Sequence, residues 1–490
     1  MNTEAATKDL IRRLGSGQVW TDEANRYRAS MDNLRLSRLP SAVITPVDEE
    51  AVGCVLELAN QHRVPVTVRG AGSATTGAAS PVTGGWVIDL SGWKELQVDP
   101  LGQMVYVQPG VTIEAIDQAA AAEGLFFPPD PGSKKYATIG GALATNAGGL
   151  RGAKYGVIRD YVLSLEGFLP TGEFVRWGAD LRKYVSGFNV RDLWVGSEGM
   201  LGVITGAVMR LIPRPATSAV LVASFNNDAG ALAAVQSLFR ARVQPSILEF
   251  LDQQTLACTH AFWKKQAPEK LAALPDPLAR ALASDPAPAL LLIEVDGPAD
   301  AVKLDLQRIE DLLSQGGGAC LRAESADSAE TLWTIRRGCS QAMFQLGPDK
   351  LNEDIVVPVG SQQALLDYTL ALKAETGLAT PTFGHAMDGN FHVHIMYDRS
   401  TPDQCERARK GIRLLMEKVI ELGGAITGEH GIGLAKSPFL ELQHSPAEIR
   451  AMQAIKNALD PNGILNPDKQ FQPCEVWDFP REQVRMPWDH

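Results

Sequence analysis

The 490-residue sequence has only six cysteines, and no two of them form a C-x-x-C pair. We therefore expect neither a disulfide framework nor an iron–sulfur cluster held by this chain alone. No apolar run approaches the roughly 18 residues of a membrane-spanning helix, and the first residues have no apolar core of the kind that marks a signal peptide. These absences favour a soluble, cytoplasmic protein without a membrane span.

A surplus of basic residues is also absent, since the formal net charge is −11. An acidic chain offers little to a phosphate backbone, so we do not expect nucleic acid as a partner. The apolar fraction of 45% and the charged fraction of 21% are ordinary for globular proteins and exclude extended disorder. At about 150 residues per domain, the length suggests roughly three domains.

Changes in pattern along the chain predict an α+β protein. Short β-branched runs, glycine-rich turns and one amphipathic helix, Asp48–His62, characterise a first domain that ends near Pro213 and Pro215. Two strand–helix–strand patterns then indicate an antiparallel sheet covered by helices, as in ferredoxin-like folds. The predicted segments are a helical lead-in (1–40), the first domain (41–215), a second domain (216–425) and a C-terminal, helical segment that returns to the first domain (426–490).

Glycine and other small residues are concentrated in four stretches of the first domain. The first, Arg69–Gly77, directly follows a predicted strand, and its backbone N–H groups can converge on an anion because no side chain blocks the approach. Its spacing differs from the dinucleotide-binding fingerprint, and on its own it is more simply a tight turn. The other stretches are 128–133, 138–149 and 196–205. So many small residues would leave a core underfilled unless a large, flat group occupied the space.

These ordered motifs resemble the PCMH-type FAD-binding domain of the vanillyl-alcohol oxidase and p-cresol methylhydroxylase superfamily, over about residues 40–215. The resemblance implies that the first stretch binds the FAD pyrophosphate and that the next two surround the isoalloxazine and ribityl parts. It also implies that the fourth stretch lies along the adenosine side. The implied FAD-binding residues are Arg69, Gly70, Ala71, Gly72, Ser73, Ala74, Gly77, Pro129, Ser133, Thr138, Gly140, Gly141, Asn146, Gly149, Glu198, Gly202, Val203 and Ile204. His62, the one histidine of this domain, lies in a predicted helix, so we expect FAD to be bound non-covalently.

Four of the eight histidines fall in two short segments that contain several glycines. Asp388-Gly389 is a strong signal for a two-residue hairpin turn, which would pair His385 with His392, and His392 and His394 share a strand face. Glycines on both sides of Glu429-His430 let the backbone bend sharply there. Two imidazoles and one carboxylate would leave open positions on a divalent metal, as in catalytic sites. A surface hairpin and a structural turn are the alternative interpretations of the two segments.

The whole pattern resembles the FAD-linked D-2-hydroxyacid dehydrogenases of the same superfamily, over nearly all of residues 40–470. These include D-lactate dehydrogenases, D-2-hydroxyglutarate dehydrogenase and the flavin-binding subunit of glycolate oxidase. By motif position, the resemblance implies a zinc, manganese or iron site at His385, His392 and Glu429, and a catalytic base at His430. The other implied site residues are Arg336 of a W-x-x-R motif, which grips the substrate carboxylate, Ser340 and His394 at the substrate, and Asn466 near the flavin.

The sequence also departs from this family pattern. Met387 replaces a glycine of the usual hairpin, Ser340 stands where the hydroxyglutarate enzyme has a threonine, and His394 stands where it has an asparagine. The substrate-binding lysine of that enzyme has no clean equivalent, because Lys350, the nearest, is out of step with Asp354. These differences argue against a strict specificity for hydroxyglutarate.

We therefore expect FAD- and divalent-metal-dependent oxidation of a D-2-hydroxy acid to the 2-oxo acid. Since the sequence has neither a cluster motif nor a nicotinamide fingerprint, the electrons would pass to a partner protein or a quinone. One alternative is a non-catalytic flavin subunit that transfers electrons within a larger complex. Others are a non-redox, lyase-like use of the fold and a plain metallohydrolase. A homodimer is left open as the assembly.

Overall fold

The computed structural model describes residues 3–476, 479, 482 and 486. This part of the chain forms two compact units. The first contains the residues up to Gly149, Gly156–Arg214 and the residues from Glu429 onward; the second contains Leu150–Tyr155 and Pro215–Gly428. None of the helices in the described ranges has the length and the apolar character that crossing a membrane requires.

The described residues of the first unit form three small sheets. A four-stranded sheet has the order Val19–Trp20, Ala42–Ile44, Trp86–Asp89, Val66–Arg69, in which the last three strands are parallel. An antiparallel five-stranded sheet has the order Leu96–Asp99, Met104–Val107, Val203–Arg210, Val162–Phe168, Phe174–Gly178. Leu125–Phe126 and Ile212–Pro213 form the third sheet. The α-helices are Thr3–Leu14, Glu23–Arg28, Glu49–His62, Ile113–Ala122, Ile139–Thr145, Val190–Trp194, Leu440–Gln443 and Pro446–Leu459, with 3-10 turns at Ile158–Tyr161 and Ser437–Phe439.

The helix Glu49–His62 confirms the prediction made for this segment. The Asp48 side chain accepts a hydrogen bond from the Ala51 N–H and so caps the first turn. Its apolar stripe is buried, with Val52 and Val55 fully inaccessible to solvent. The helix ends at His62, and the next residue, Arg63, adopts the left-handed conformation common at helix C-termini.

The second unit is built on one antiparallel sheet of seven strands. Their order is Ala319–Arg322, Thr217–Phe225, Ala289–Gly297, Ile247–Leu251, Thr382–His385, Asn390–Tyr397, Asp349–Val356. The α-helices are Gly152–Tyr155, Asp228–Arg240, Gln253–Gln266, Pro268–Ala272, Asp276–Leu282, Ala299–Gln315, Ala326–Ala342, Gln362–Thr376 and Pro402–Glu421, with 3-10 turns at Met343–Gln345 and Val359–Ser361. Together with the first unit, this arrangement confirms the predicted α+β class.

One face of the seven-stranded sheet is apolar in one part and polar in another. The helices Gln253–Gln266 and Ala326–Ala342 pack their buried residues against apolar side chains of this face, among them Leu292 and Phe383. Because side chains alternate along a strand, the register places a set of polar residues on the same face. They are Glu249, Asp354, His385, His392 and His394. The candidate active site is therefore built on this sheet face.

The hairpin that joins the strands Thr382–His385 and Asn390–Tyr397 differs from the prediction. His385 lies opposite Asn390 rather than His392, so the turn contains four residues and not two. The Ala386 N–H donates to the carbonyl of Leu248 on a neighbouring strand, which removes Ala386 from the hairpin ladder. His385 and His392 are still diagonal neighbours on one face, with ring centroids 5.6 Å apart.

Candidate active site

The glycine-rich stretch Arg69–Gly77 forms an irregular loop directly after its strand, within the first unit. A side chain at Gly70 would overlap the Thr138 hydroxyl, so the first and third glycine-rich stretches lie against each other here. The guanidinium of Arg69 donates to the Met31 carbonyl at 2.6 Å. Lys469 is almost fully buried and donates its Nζ to the Gly77 carbonyl at 2.8 Å, which fixes the end of the loop.

Buried polar atoms around this loop fit a bound FAD. Thr138 Oγ1 and Asn466 Oδ1 are buried and have no hydrogen-bond partner among the described residues. Buried polar atoms are normally paired, and the phosphates and ring edges of FAD would supply partners. The Asn466 side chain is held in place because its Nδ2 donates to the carbonyls of Ala78 and Glu198.

Some of the predicted FAD residues also have packing roles of their own. A side chain at Gly140 would meet Pro109 at 2.7 Å, and one at Gly149 would overlap the Asp130 carbonyl. Asn146 ends a short helix in the left-handed conformation and accepts a hydrogen bond from the Arg159 N–H. The remaining residues of the predicted set lie in the same unit. These are Ala71, Gly72, Ser73, Ala74, Pro129, Ser133, Gly141, Gly202, Val203 and Ile204.

Glu198 fixes the backbone that follows His430. Its buried carboxylate accepts hydrogen bonds from the Ile432 N–H at 2.7 Å and the Gly433 N–H at 2.8 Å. Burial raises the pKa of Glu198, and these two backbone donors oppose that shift. The Thr76 hydroxyl reaches the carbonyl of His430 at 3.4 Å. The carboxylate is thus engaged by the chain itself, and a role for Glu198 at the adenosine side of FAD stays a prediction.

The predicted metal ligands His385, His392 and Glu429 each offer one ligand atom, and all three atoms lie within 4.8 Å of one another. Both histidines are buried in adjacent strands of the second unit. Glu429 directly follows Gly428, the last residue of that unit. The donor set of two imidazoles and one carboxylate suits zinc, manganese or iron.

Asp354 holds the segment that leads to Glu429. Its Oδ2 accepts hydrogen bonds from the Thr427 hydroxyl and the Gly428 N–H, both at 3.0 Å. Its Oδ1 accepts from the Asn390 side chain at 2.6 Å. A side chain at Gly428 would overlap that of Asn390, so glycine is required there. These contacts fix Thr427 and Gly428, the two residues that directly precede Glu429 in the chain.

Glu249 connects His385 to Arg336. This fully buried carboxylate bonds to His385 Nδ1 through one oxygen and to Arg336 Nε through the other. Burial raises the pKa of Glu249, but its pairing with His385 and Arg336 outweighs that effect and holds the pKa at about 2. Since an ionised carboxylate only accepts hydrogen bonds, His385 Nδ1 carries the proton. In this tautomer Nε2 carries no hydrogen, so its lone pair can bind a metal.

The predicted substrate residues lie near Lys350, the lysine whose sequence position is out of step with the family pattern. Lys350 donates its Nζ to the Ser340 hydroxyl at 2.6 Å and to the Ser340 carbonyl at 3.1 Å. Burial lowers the pKa of Lys350 to about 8. Burial and then the charge of Lys350 lower the pKa of His394 far below its usual range. The His394 Nδ1 bonds to the Pro381 carbonyl, and its Nε2 has no hydrogen-bond partner in the described ranges.

The aromatic ring of Phe383 contacts both Arg336 and His394. The Phe383 ring lies 4.2 Å from the guanidinium carbon of Arg336 and 5.0 Å, centroid to centroid, from the His394 ring. The ring supports the guanidinium by a cation–π contact. Arg336, Ser340, Lys350 and His394 are therefore grouped within one unit.

Two residues of the site, Glu249 and Asp354, are not among those predicted from the sequence. A signal for Glu249 exists, because it is the one charged residue in the otherwise apolar strand Ile247–Leu251. Its partners are 136 and 87 positions away in the chain, so spacing alone could not identify them. Asp354 likewise acts on residues more than 70 positions away.

Comparisons with known proteins cover both units. The sequence profile described as "FAD binding domain" matches residues 40–178, and the profile described as "FAD linked oxidases, C-terminal domain" matches residues 214–470. The chain is 37% identical to the glycolate oxidase subunit GlcD of Bacillus subtilis, over 96% of this chain and 97% of that one. It is 35% identical to a D-lactate dehydrogenase of Anaerostipes hadrus, over 88% of this chain and 89% of that one.

A solved structure agrees in fold. p-Cresol methylhydroxylase with substrate bound superposes with a TM-score of 0.77 at 17% identity, over 96% of this chain and 97% of that one. At this identity the similarity concerns the fold alone. It confirms the predicted PCMH-type architecture, and the sequence profiles confirm the predicted FAD-binding domain.

Proposed function

Since the chain belongs to the family of FAD-linked oxidases and is an FAD-linked oxidoreductase, we propose that it oxidises a small D-2-hydroxy acid of the glycolate and D-lactate class to the 2-oxo acid. The observation that carries this proposal is the group His385, His392 and Glu429, whose ligand atoms lie within 4.8 Å of one another. The names of the similar proteins, a glycolate oxidase subunit and a D-lactate dehydrogenase, support the substrate class.

Two bound groups would supply chemistry that side chains cannot. When bound, FAD accepts two electrons and a divalent metal lowers the pKa of a coordinated hydroxyl group. In this proposal the metal is held by His385, His392 and Glu429. FAD is held by the glycine-rich loop together with Thr138 and Asn466. The buried side-chain oxygens of these two residues have no hydrogen-bond partner among the described residues.

Arg336 binds the substrate carboxylate in this scheme. Its Nε is taken by Glu249, so the terminal Nη1 and Nη2 form the edge that meets an anion. An arginine edge of this kind matches the two oxygens of a carboxylate. Lys350 adds a second positive charge, and His394 offers its buried Nε2. These residues bind and orient the acid with its 2-hydroxyl toward the metal ligands.

His430 is the proposed general base. It follows Glu429 directly in the chain, and the Glu198 carboxylate fixes the two residues beyond Gly431. An imidazole in its neutral form can accept the hydroxyl proton of the substrate as the acid is oxidised. The buried hydrogen bonds of Glu198 hold the backbone of this turn and so limit the positions that the imidazole can adopt.

The electron acceptor is proposed to be a partner protein or a quinone. The sequence offers neither a C-x-x-C motif nor a nicotinamide fingerprint. A second candidate is a flavin subunit that only transfers electrons within a complex. The one observation in its favour is that the Bacillus subtilis relative is named as a subunit. The intact group of metal-type ligands favours the catalytic role.

The proposal is tested by an anaerobic absorbance titration of the purified flavoprotein. Glycolate, D-lactate and D-2-hydroxyglutarate are added in separate experiments, with L-lactate as the stereochemical control. We expect glycolate or D-lactate to bleach the long-wavelength flavin band, and L-lactate to leave it unchanged. A flavin that none of the acids reduces would contradict the catalytic role and favour the electron-transfer subunit.

A further inference from the structure

Glu249 lies at a position where an ionised carboxylate is unfavourable unless both of its oxygens are paired. It is fully buried in the middle of an apolar strand, flanked by Leu248 and Phe250. Removal of a charge from water is costly, and only good pairing offsets that cost. The two carboxylate oxygens are each paired with a different residue, His385 on the adjacent strand and Arg336 on a helix.

We propose that Glu249 is a positioning residue that couples metal binding to binding of the substrate carboxylate. It does so because one buried group sets both the proton position on His385 and the orientation of Arg336. This inference rests on the proposed function, in which His385 is a metal ligand and Arg336 binds the substrate.

The metal half of the argument concerns the tautomer of His385. A carboxylate at Nδ1 keeps the proton on that nitrogen, and the lone pair of Nε2 is then available to a cation. A neutral glutamine at position 249 has one accepting and one donating end. If the NH₂ end of the glutamine faced the ring, Nδ1 would have to accept a hydrogen bond. The proton of His385 would then move to Nε2, and that nitrogen could no longer bind a metal.

The substrate half of the argument concerns Arg336. Its Nε–H donates to Glu249 while its face lies on the Phe383 ring, with 4.2 Å between the guanidinium carbon and the ring centroid. These two contacts fix the plane of the guanidinium and the edge that it presents. Both donors, Nδ1–H and Nε–H, need an acceptor at the same place, and only a carboxylate satisfies both.

The same sheet face offers a matched control. Glu294 lies on the next strand, is also largely buried, and is paired with Arg151 at 3.2 Å. It therefore shares with Glu249 the burial and the arginine partner, but its other side-chain partner is the Ser246 hydroxyl in place of a histidine. If Glu249 were only a structural ion pair, E249Q and E294Q should behave alike.

The experiment measures Zn²⁺ affinity and steady-state kinetics of the purified flavoproteins. Wild type, E249Q, E249D and E294Q are compared by competition with a chelating dye and with D-lactate and glycolate as substrates. We expect E249Q to bind Zn²⁺ roughly 10- to 100-fold more weakly, as is usual when a residue that supports a metal ligand is lost. Its KM should rise together with this loss, whereas E294Q should bind Zn²⁺ within about threefold of wild type.

The E249D variant keeps the test decisive if E249Q does not fold. It retains the charge but is shorter by one methylene, so it can reach one partner better than the other. We expect its affinity for Zn²⁺ to lie between those of wild type and E249Q. Zn²⁺ affinities of E249Q and E249D equal to that of wild type would overturn the coupling and leave the proposed function intact. A wild-type protein that binds no Zn²⁺ would overturn the metal site itself, and the coupling with it.

Discussion

At the scale of single residues, buried charged groups organise the candidate site. Glu249, Asp354 and Glu198 are all nearly inaccessible to solvent, and each accepts hydrogen bonds from residues far away in the chain. The sequence pattern indicates the candidate ligands and the base only through its resemblance to the family, and their roles stay predictions. It was not sufficient to predict the carboxylates that support them, since these contacts depend on which strands become neighbours.

The proposed base is tested by His430→Asn. Because this variant removes the group that accepts the hydroxyl proton, we expect flavin reduction to slow by about 10²- to 10⁴-fold, with FAD still bound. His444→Asn, outside the proposed site, is the control and should reduce its flavin normally. Stopped-flow absorbance under anaerobic conditions measures both rates. A His430 variant with a near-normal rate would exclude this residue as the base.

The lowered pKa of Lys350 predicts that substrate binding depends on pH. Its pKa of about 8 means that the ammonium loses its charge as the pH rises through 8, so KM for the hydroxy acid should increase there. The lowered pKa of Lys350 also makes the free energy of unfolding depend on pH. The ordinary pKa of 10.5 is higher than that of the folded protein, so unfolding takes up a proton between these values, and the free energy of unfolding should rise with pH across this window.

The variant Lys350→Met checks this assignment. We expect a raised KM at neutral pH and no further increase of KM above pH 8, because the titrating charge is gone. Lys373→Met, on an exposed helix position, should keep the wild-type profile. Steady-state kinetics from pH 6.5 to 9.5 distinguish the cases, and an unchanged pH profile in the Lys350 variant would show that another group titrates.

At the scale of elements, local signals predicted the helix Glu49–His62 well and the hairpin register poorly. The helix ending at His62 could be predicted because its cap and its apolar stripe lie within the segment itself. The hairpin turn was predicted from Asp388-Gly389 alone, yet its length depends on the Leu248 carbonyl, which takes the Ala386 N–H. A neighbouring strand thus sets the register, and no pattern within the hairpin contains that information.

Gly389 is predicted to be essential for this hairpin. Its φ of +78° disfavours any side chain, and a Cβ there would overlap the Val357 carbonyl oxygen. We expect Gly389→Ala to lower the free energy of unfolding by at least about 2 kcal/mol and to weaken metal binding, because His385 and His392 flank the turn. Gly360→Ala is the control, since a Cβ at that position would have open space within 4 Å. Urea denaturation of both variants measures the difference; equal stabilities would contradict the strain assigned to Gly389.

At the scale of the whole molecule, the resemblance seen in the motifs extends along nearly the entire chain. The two matched profiles span residues 40–178 and 214–470, and the Bacillus subtilis relative aligns over 96% of the chain. The fold and the FAD-linked chemistry could therefore be predicted from sequence. The predicted domain boundaries and the individual site residues stay predictions, because they depend on bound groups and on contacts between distant segments.

The acceptor prediction belongs to this scale. Because the sequence has no nicotinamide fingerprint, we expect the reduced flavoprotein to be reoxidised by a water-soluble quinone and not by NAD⁺ or NADP⁺. Anaerobic mixing of the substrate-reduced protein with each acceptor, followed by absorbance of the flavin band, measures this. Rapid reoxidation by NAD⁺ would contradict the prediction.

The central claim is that FAD and a divalent metal act together on a D-2-hydroxy acid. The most direct test is the anaerobic rate of flavin reduction by D-lactate and by glycolate, measured before chelation, after chelation and after re-addition of Zn²⁺ or Mn²⁺, with Glu429→Gln in parallel. The account predicts that chelation and Glu429→Gln both abolish rapid reduction by the acid that reduces the untreated protein. Re-added metal should restore that rate in the wild type alone. Equal rates with and without metal would contradict it.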